Sequence, residues 1–232
     1  MNQAVRDETT VSTPLSLGKR IAATFTAPAR LAGSLRERPR WIDVLLISTL
    51  VAVAAAAMIP EEVFLTAAEE AVNRRGAPVE ITSPPAEIVR WGRYMAMLNA
   101  LVGHPLVAFG LAGVLSILFT VLSGGRNSFT EHLALTSHAL LIVALGTLVS
   151  MVLGLATGAT VGDASLGALL PAVDPETAAG EVLALINPFT LWMLYVVGVG
   201  VSVLDAARSR RTTLGILLGG YAVLVLAIVL AT

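Results

Sequence analysis

Apolar residues in this chain gather in long continuous blocks separated by polar turns. The alternation of a half-buried strand is absent. The blocks cover about residues 41–59, 101–122, 133–156, 189–206 and 213–231, and their interiors carry no Asp, Glu, Lys or Arg. A charge of that kind at mid-bilayer costs roughly 2.5–3.5 kcal/mol on insertion, while each Leu, Ile, Val or Phe returns a few tenths. Inside hydrocarbon every backbone polar group must find its partner within the protein. A continuously apolar block therefore predicts a helix, whereas a closed barrel would need alternation. The pattern predicts an all-α, polytopic transmembrane bundle of about five spans within residues 41–232. The fourth block, Phe189 to Leu204, falls short of the roughly 20 residues that a bilayer asks for; it borrows Ala206 and Ala207, or apolar residues before Asn187.

Polar punctuation fixes the ends. Residues 1–14 are polar and aperiodic and read as a disordered tail. Over residues 15–40 Leu17, Ile21, Phe25, Leu31 and Leu35 can form one apolar stripe, with Lys19, Arg20, Arg30, Arg36, Arg38 and Arg40 as basic positions. Pro28 should break the helix there. Such a segment just before a span predicts an amphipathic interfacial helix in the headgroup plane, its basic residues contacting lipid or a partner. Trp41 marks the start of the first span, and Asp43 lies close enough to its end to stay wet. Pro60, Glu61 and Glu62 end that span. A surface helix is expected from Glu61 to Arg75, closed by Gly76 and Pro78, and Ser83, Pro84 and Pro85 introduce the next helix. Glu87 and Arg90 are spaced to pair, and Trp91 and Tyr94 mark the membrane surface. The Gly103-His104-Pro105 step predicts a bend. Ser128 and Glu131 form a capping box opening the third span. Asp163 should cap a short helix, Asp174-Pro175-Glu176 should start another, and Asn187-Pro188 repeats that signal.

Composition agrees with this pattern: 56% of residues are hydrophobic and only 13% charged, against about a quarter charged in soluble domains. Net charge is −1, so no global field favours nucleic acid. The chain has no cysteine, which excludes disulfides and thiolate chemistry. The first forty residues contain no apolar stretch with a cleavage site, so no cleaved signal peptide is expected. Basic residues are almost all arginine, and Ala, Leu, Val and Gly dominate, a bias that reads as bacterial. Arginine placement gives an orientation. The N-terminal segment and the turns at 123–132 and 205–212 are rich in it, whereas the opposite side holds only Arg74, Arg75, Arg90 and Arg93. The positive-inside rule then puts the N-terminus in the cytoplasm and the C-terminus outside a cell (cytoplasmic) membrane.

Candidate chemistry is sparse. Asn99 and His104 are polar positions inside the second span, where ionisable groups are functional candidates by default; the alternative is a histidine that satisfies a carbonyl freed by Pro105. His132 and His138 are six residues apart, about 240° around a helix, and so lie on different faces; no metal site is expected. Gly154-x-x-x-Gly158 and Gly215-x-x-x-Gly219 match the small-residue pattern for close helix packing, within the bundle or against a second copy. No phosphate-cradling loop, zinc helix or serine elbow is present, so neither catalytic residues nor a cofactor is expected. The rival to a non-enzymatic organiser of lipids or membrane-protein partners is a small-solute transporter or channel. Its polar cavity would draw on Asn99, His104, Thr136, Ser137 and Thr147.

Three stretches resemble a known family. They are FTAPARLAGSLRERPRW (Phe25 to Trp41), GGRNSFTEHLALTSHALL (Gly124 to Leu141) and INPFTLWMLYVVGVGVS (Ile186 to Ser202). In order and spacing they resemble the Yip-domain family, named after Ypt/Rab-interacting proteins; the third is similar to the bacterial Asn/Asp-Pro-Phe-x-x-Trp pattern. The resemblance implies five spans, a cytoplasmic N-terminus and an external C-terminus. Eukaryotic members are associated with Rab-type GTPases and membrane trafficking, and those partners do not carry over to a chain of bacterial composition. Where the family has Pro in the third helix region, this chain has Ala139 to Leu141.

Overall fold

A computed structural model describes residues 15–74, 85–157, 165–170, 173–174, 177–205 and 207–231. The expectations for residues 1–14, Arg75, Gly76, Pro78, Ser83, Pro84, Gly158, Asp163, Pro175, Glu176 and Ala206 lie outside them. Among the described residues every regular element is helical. Ten α-helices follow in order: α1 Leu17–Thr26, α2 Pro28–Glu37, α3 Ile42–Ala57, α4 Glu61–Arg74, α5 Pro85–Ser116, α6 Phe129–Thr157, α7 Leu166–Leu169, α8 Ala178–Leu185, α9 Pro188–Leu204 and α10 Arg210–Val229. A π-helical turn, Ile117–Val121, continues α5.

Pro85–Val121, Phe129–Ala156 and Arg210–Val229 are long and apolar enough to cross a bilayer, and the number rises to five if each of two bent pairs is one span. One pair, α3 with α4, bends by 77°; the other, α8 with α9, bends by 57°. A helix as short as α3 or α9 falls below the roughly 20 residues needed to span, which is why its bent continuation matters.

The core is built around α6. Every residue from His132 to Ile142 is buried, so this helix is enclosed on all sides by α3, α5 and α9. Its buried stretch is apolar except for His132, Thr136, Ser137 and His138, each of which has a hydrogen-bond partner. Its start is held by the capping box: Ser128 N–H donates to Glu131 Oε2 (2.6 Å) and Glu131 N–H donates back to Ser128 Oγ (3.3 Å). Asn187 Oδ1 accepts from Phe189 N–H (2.9 Å), with Pro188 at the first helical position, and opens α9 in the same way. The start expected at Asp174 falls later. Thr177 caps α8, accepting from Gly180 N–H at 3.1 Å, and Asp174 serves through its carbonyl, which accepts the Thr177 hydroxyl.

α5 begins at Pro85, where the proline signal places a helix start, so the helix of the second span extends well before Leu101 and runs unbroken through Pro105. At its other end the ladder widens: Leu122 N–H bonds Ile117 C=O at 2.8 Å, a five-residue step. Such a turn leaves local carbonyls without their usual partners. Phe119 C=O is instead taken by Gly125 N–H (3.1 Å) and by Arg208 Nη2 (3.4 Å).

Glycine packing differs from the motif reading. Gly215 and Gly219 have open space where a Cβ would stand, so nothing among the described residues packs against them there. α10 turns Thr213 and Leu214 inward, and at 100° per residue this rotates its glycines to the outside. Close approach falls instead to Gly198, whose absent Cβ would sit 2.5 Å from Leu214, and to Gly200, 2.4 Å from Leu135. Gly146 likewise makes room for the Phe189 ring at 2.4 Å. Gly154 is buried.

These contacts set a contrast. A Cβ on Gly125 would lie 2.2 Å from the Phe119 carbonyl oxygen, a backbone atom that cannot step aside. Gly125→Ala should lower the thermal unfolding midpoint of the purified protein clearly. Gly219→Ala should leave it unchanged or raise it, because Ala is favoured over Gly in a helix by roughly 0.5–1 kcal/mol. Equal loss from both substitutions would contradict this packing.

Candidate functional site

The amphipathic segment packs on the bundle. It folds as two helices broken at Pro28, and its apolar side is spent on the protein itself. Leu31, Ala32 and Leu35 of α2 are buried where α2 packs on α9 and α6. Phe25 meets Trp192 of α9 edge-on, ring centroids 5.6 Å apart. The sequence pattern marks the apolar stripe: Leu31 and Leu35 are buried against the bundle, and Leu17, Ile21 and Phe25 are half-buried.

What pins α1 is a charged residue. Arg20, read from the sequence as a lipid contact, is fully buried. Its guanidinium grips Asp43 at the start of α3 with two nitrogens: Nη2 on Oδ2, and Nη1 on Oδ1 at 3.2 Å. Nη1 also donates to Arg40 C=O (3.1 Å) and faces His138 Nε2 (3.3 Å) on α6. His138 Nδ1 lies 2.7 Å from Ala134 C=O. That bond places the imidazole proton on Nδ1 and leaves the Nε2 lone pair to accept from Arg20. Three helices thus converge on one side chain. Only Nε of Arg20 lacks a partner among the described residues. Asp43 keeps 37% of its side-chain surface exposed, so it is wet as expected, yet fully engaged. A buried guanidinium needs this: unpaired, its desolvation would cost several kcal/mol.

The remaining basic residues of the segment behave differently. Lys19, Arg30, Arg36, Arg38 and Arg40 are all exposed. The half-buried pair therefore pins α1 of a two-helix platform whose outer surface is basic.

A second charged node sits at the same end of the bundle. Arg208 Nε donates to Asp205 Oδ2 (2.7 Å), Nη2 donates to Ser123 C=O (2.7 Å), and the guanidinium lies 5.5 Å from the centroid of the buried Phe119 ring. It ties the α9–α10 turn to the π-helical end of α5. The i,i+3 spacing of Asp205 and Arg208 was available as a sequence signal; the π-turn that needs them was not.

The intramembrane polar candidates separate. His104 Nε2 pairs with Ser48 Oγ of α3 at 3.0 Å. Asn99, His104 and Thr147 line one cleft of about 410 Å³ between α3, α5 and α6. Thr136 and Ser137 are buried elsewhere on α6, and both return their hydroxyls to Leu133 C=O. His132 turns to Ser116 of α5 (Nδ1 to Oγ, 2.9 Å) and His138 to Arg20, so the two histidines serve opposite sides of α6. Among the described residues no group of three His, Cys, Asp or Glu converges as a metal site. Glu87 and Arg90 pair at 3.8 Å on an exposed surface, a contact worth at most about 1 kcal/mol.

The anchor makes a direct prediction. Asp43→Ala leaves a buried guanidinium unpaired, a change that costs about 3–5 kcal/mol for a fully buried pair, and the exposure of Asp43 sets the lower end here. Hydrogen exchange in the full-length protein should rise across residues 17–26 and stay unchanged in α6. An Arg20→Leu/Asp43→Leu double substitution should lose less protection than Asp43→Ala alone. Unaltered exchange in α1 would contradict the anchor.

A family model described as the Yip1 domain matches residues 22–232. No curated protein and no solved structure matches the chain. The match takes in α2 to α10, the second half of α1, and Asp43, Arg40 and His138 around the anchor, though not Arg20 itself: the chain belongs to the Yip1 domain family.

Proposed function

We propose that this Yip1 domain protein is a non-enzymatic membrane organiser of bacterial type, which gathers anionic lipids or membrane-protein partners on its basic N-terminal platform. The observation that carries the reading is the division of labour within residues 15–40. Arg20 is withdrawn to anchor the helices, while Lys19, Arg30, Arg36, Arg38 and Arg40 remain exposed. Near an anionic surface each basic residue contributes about 1 kcal/mol, and a platform fixed in position loses no entropy of ordering when it binds. On this reading the platform faces the cytoplasm, the C-terminus lies outside and the chain resides in the cell membrane. The arginine distribution supports that orientation.

A second reading, a small-solute transporter, draws support from the cleft that Asn99, His104 and Thr147 share. Against it, Thr136 and Ser137 lie outside that cleft and are bonded to backbone.

Crosslinking and pull-down from native membranes separates the two readings. Replacing Lys19, Arg30, Arg38 and Arg40 together by Gln should abolish capture of specific membrane-protein partners while the helix content is kept. Capture that is indifferent to these four residues, together with solute flux in liposomes that depends on His104, would favour the transporter.

A further inference from the structure

Apart from the Arg20 anchor, a cleft of about 670 Å³ opens where the last turn of α2 meets the 123–127 turn and the start of α10. Arg36, Arg126 and Arg208 line it, and Asp205 is the acid among its described lining residues. Three arginines against one aspartate leave the cleft positive, and that aspartate is already occupied by Arg208 Nε and by Ala207 N–H (3.3 Å). Arg36 and Arg126 are exposed, and neither forms an ion pair among the described residues.

Two independent features point to an anion. Ser209 and Thr212 line the same cleft and mark the N-terminus of the 20-residue α10, where Ser209 Oγ accepts from Thr212 N–H at 3.1 Å. The positive end of that helix dipole opens onto the cleft. Asn127 also lines it, is only 5% exposed, and has no partner among the described residues for its side-chain amide nitrogen. An unmatched buried donor beside unpaired guanidinium groups is the complement of an oxygen-rich anion.

We propose that this cleft binds a phosphate monoester. The planar forks of Arg36 and Arg126 suit the oxygens of a phosphate in pairs. The cleft lies at the end of the bundle where the spans begin, within reach of a lipid-borne phosphate. A free phosphate has the same chemistry, and the experiment distinguishes the two sources. The proposal deepens the platform reading by naming a ligand class, and it rests on that reading for the idea that this end of the molecule meets anions.

The test uses the full-length protein in detergent, with bound lipid counted by native mass spectrometry after titration with phosphatidic acid or phosphatidylcholine. Phosphatidic acid should be retained and phosphatidylcholine not. Arg126→Gln, a substitution at an exposed residue outside the platform, should lower retention roughly tenfold, and Arg126→Lys should restore part of it. Lys19→Gln/Arg38→Gln should leave it unchanged. Displacement of the lipid by excess inorganic phosphate assigns the cleft to a free anion, and persistence of the lipid assigns it to a headgroup; both support the site. Equal retention by the wild type and Arg126→Gln overturns it. So does loss with Lys19→Gln/Arg38→Gln and not with Arg126→Gln, an outcome that leaves the platform reading standing.

Discussion

One buried guanidinium organises the N-terminal half of this protein. Arg20 is fully enclosed, and a charge so placed is tolerable only with its partners in position. Asp43, Arg40 C=O and His138 supply them from the start of α3, the stretch of chain leading into it and the centre of α6. The arrangement links three pieces of structure that the apolar pattern alone would leave independent. Hydrophobic burial of Leu31, Ala32 and Leu35 brings α2 onto the bundle. The charged contact fixes α1 against α3 and α6, while Pro28 decides where α1 stops.

The same end of the bundle repeats that logic with different residues. A π-turn at Ile117–Val121 frees carbonyls, and Arg208 reaches across from the α9–α10 turn to satisfy them, with Asp205 holding it in place. Gly125 permits the approach because any side chain would strike the Phe119 carbonyl. Most polar groups in and near hydrocarbon thus find a partner, as the scarcity of water there demands; among the described residues Arg20 Nε, Thr49 Oγ1, Arg93 Nε, Asn127 Nδ2 and His132 Nε2 find none. The exposed arginines that remain, on the platform and around the cleft, have no such structural duty.

The sequence made the helical architecture legible because long apolar blocks without charge admit few folds, and the caps at Ser128–Glu131 and Asn187–Pro188 are local signals read correctly. Three things were hidden. The burial of Arg20 depends on Asp43 and His138, which are 23 and 118 residues away, and no local pattern carries that information. The π-turn that ends α5 at Ile117–Val121 has no marker in a continuously apolar block. The glycines of α10 match a packing motif, yet helix rotation turned them outward and gave the close contacts to Gly198 and Gly200. A motif names a surface suited to packing; only the rotation of the helix says whether anything packs there.

The account stands on α1 and α2 being docked on the bundle rather than adrift in the lipid headgroups. The chain has no native cysteine, so a Phe25→Cys/Trp192→Cys variant carries only the introduced pair, at positions whose rings lie 5.6 Å apart. Treated in native membranes with a short thiol-to-thiol crosslinker, it should form the link within a single chain in high yield. Efficient modification of both cysteines with no intrachain link would contradict the docked platform.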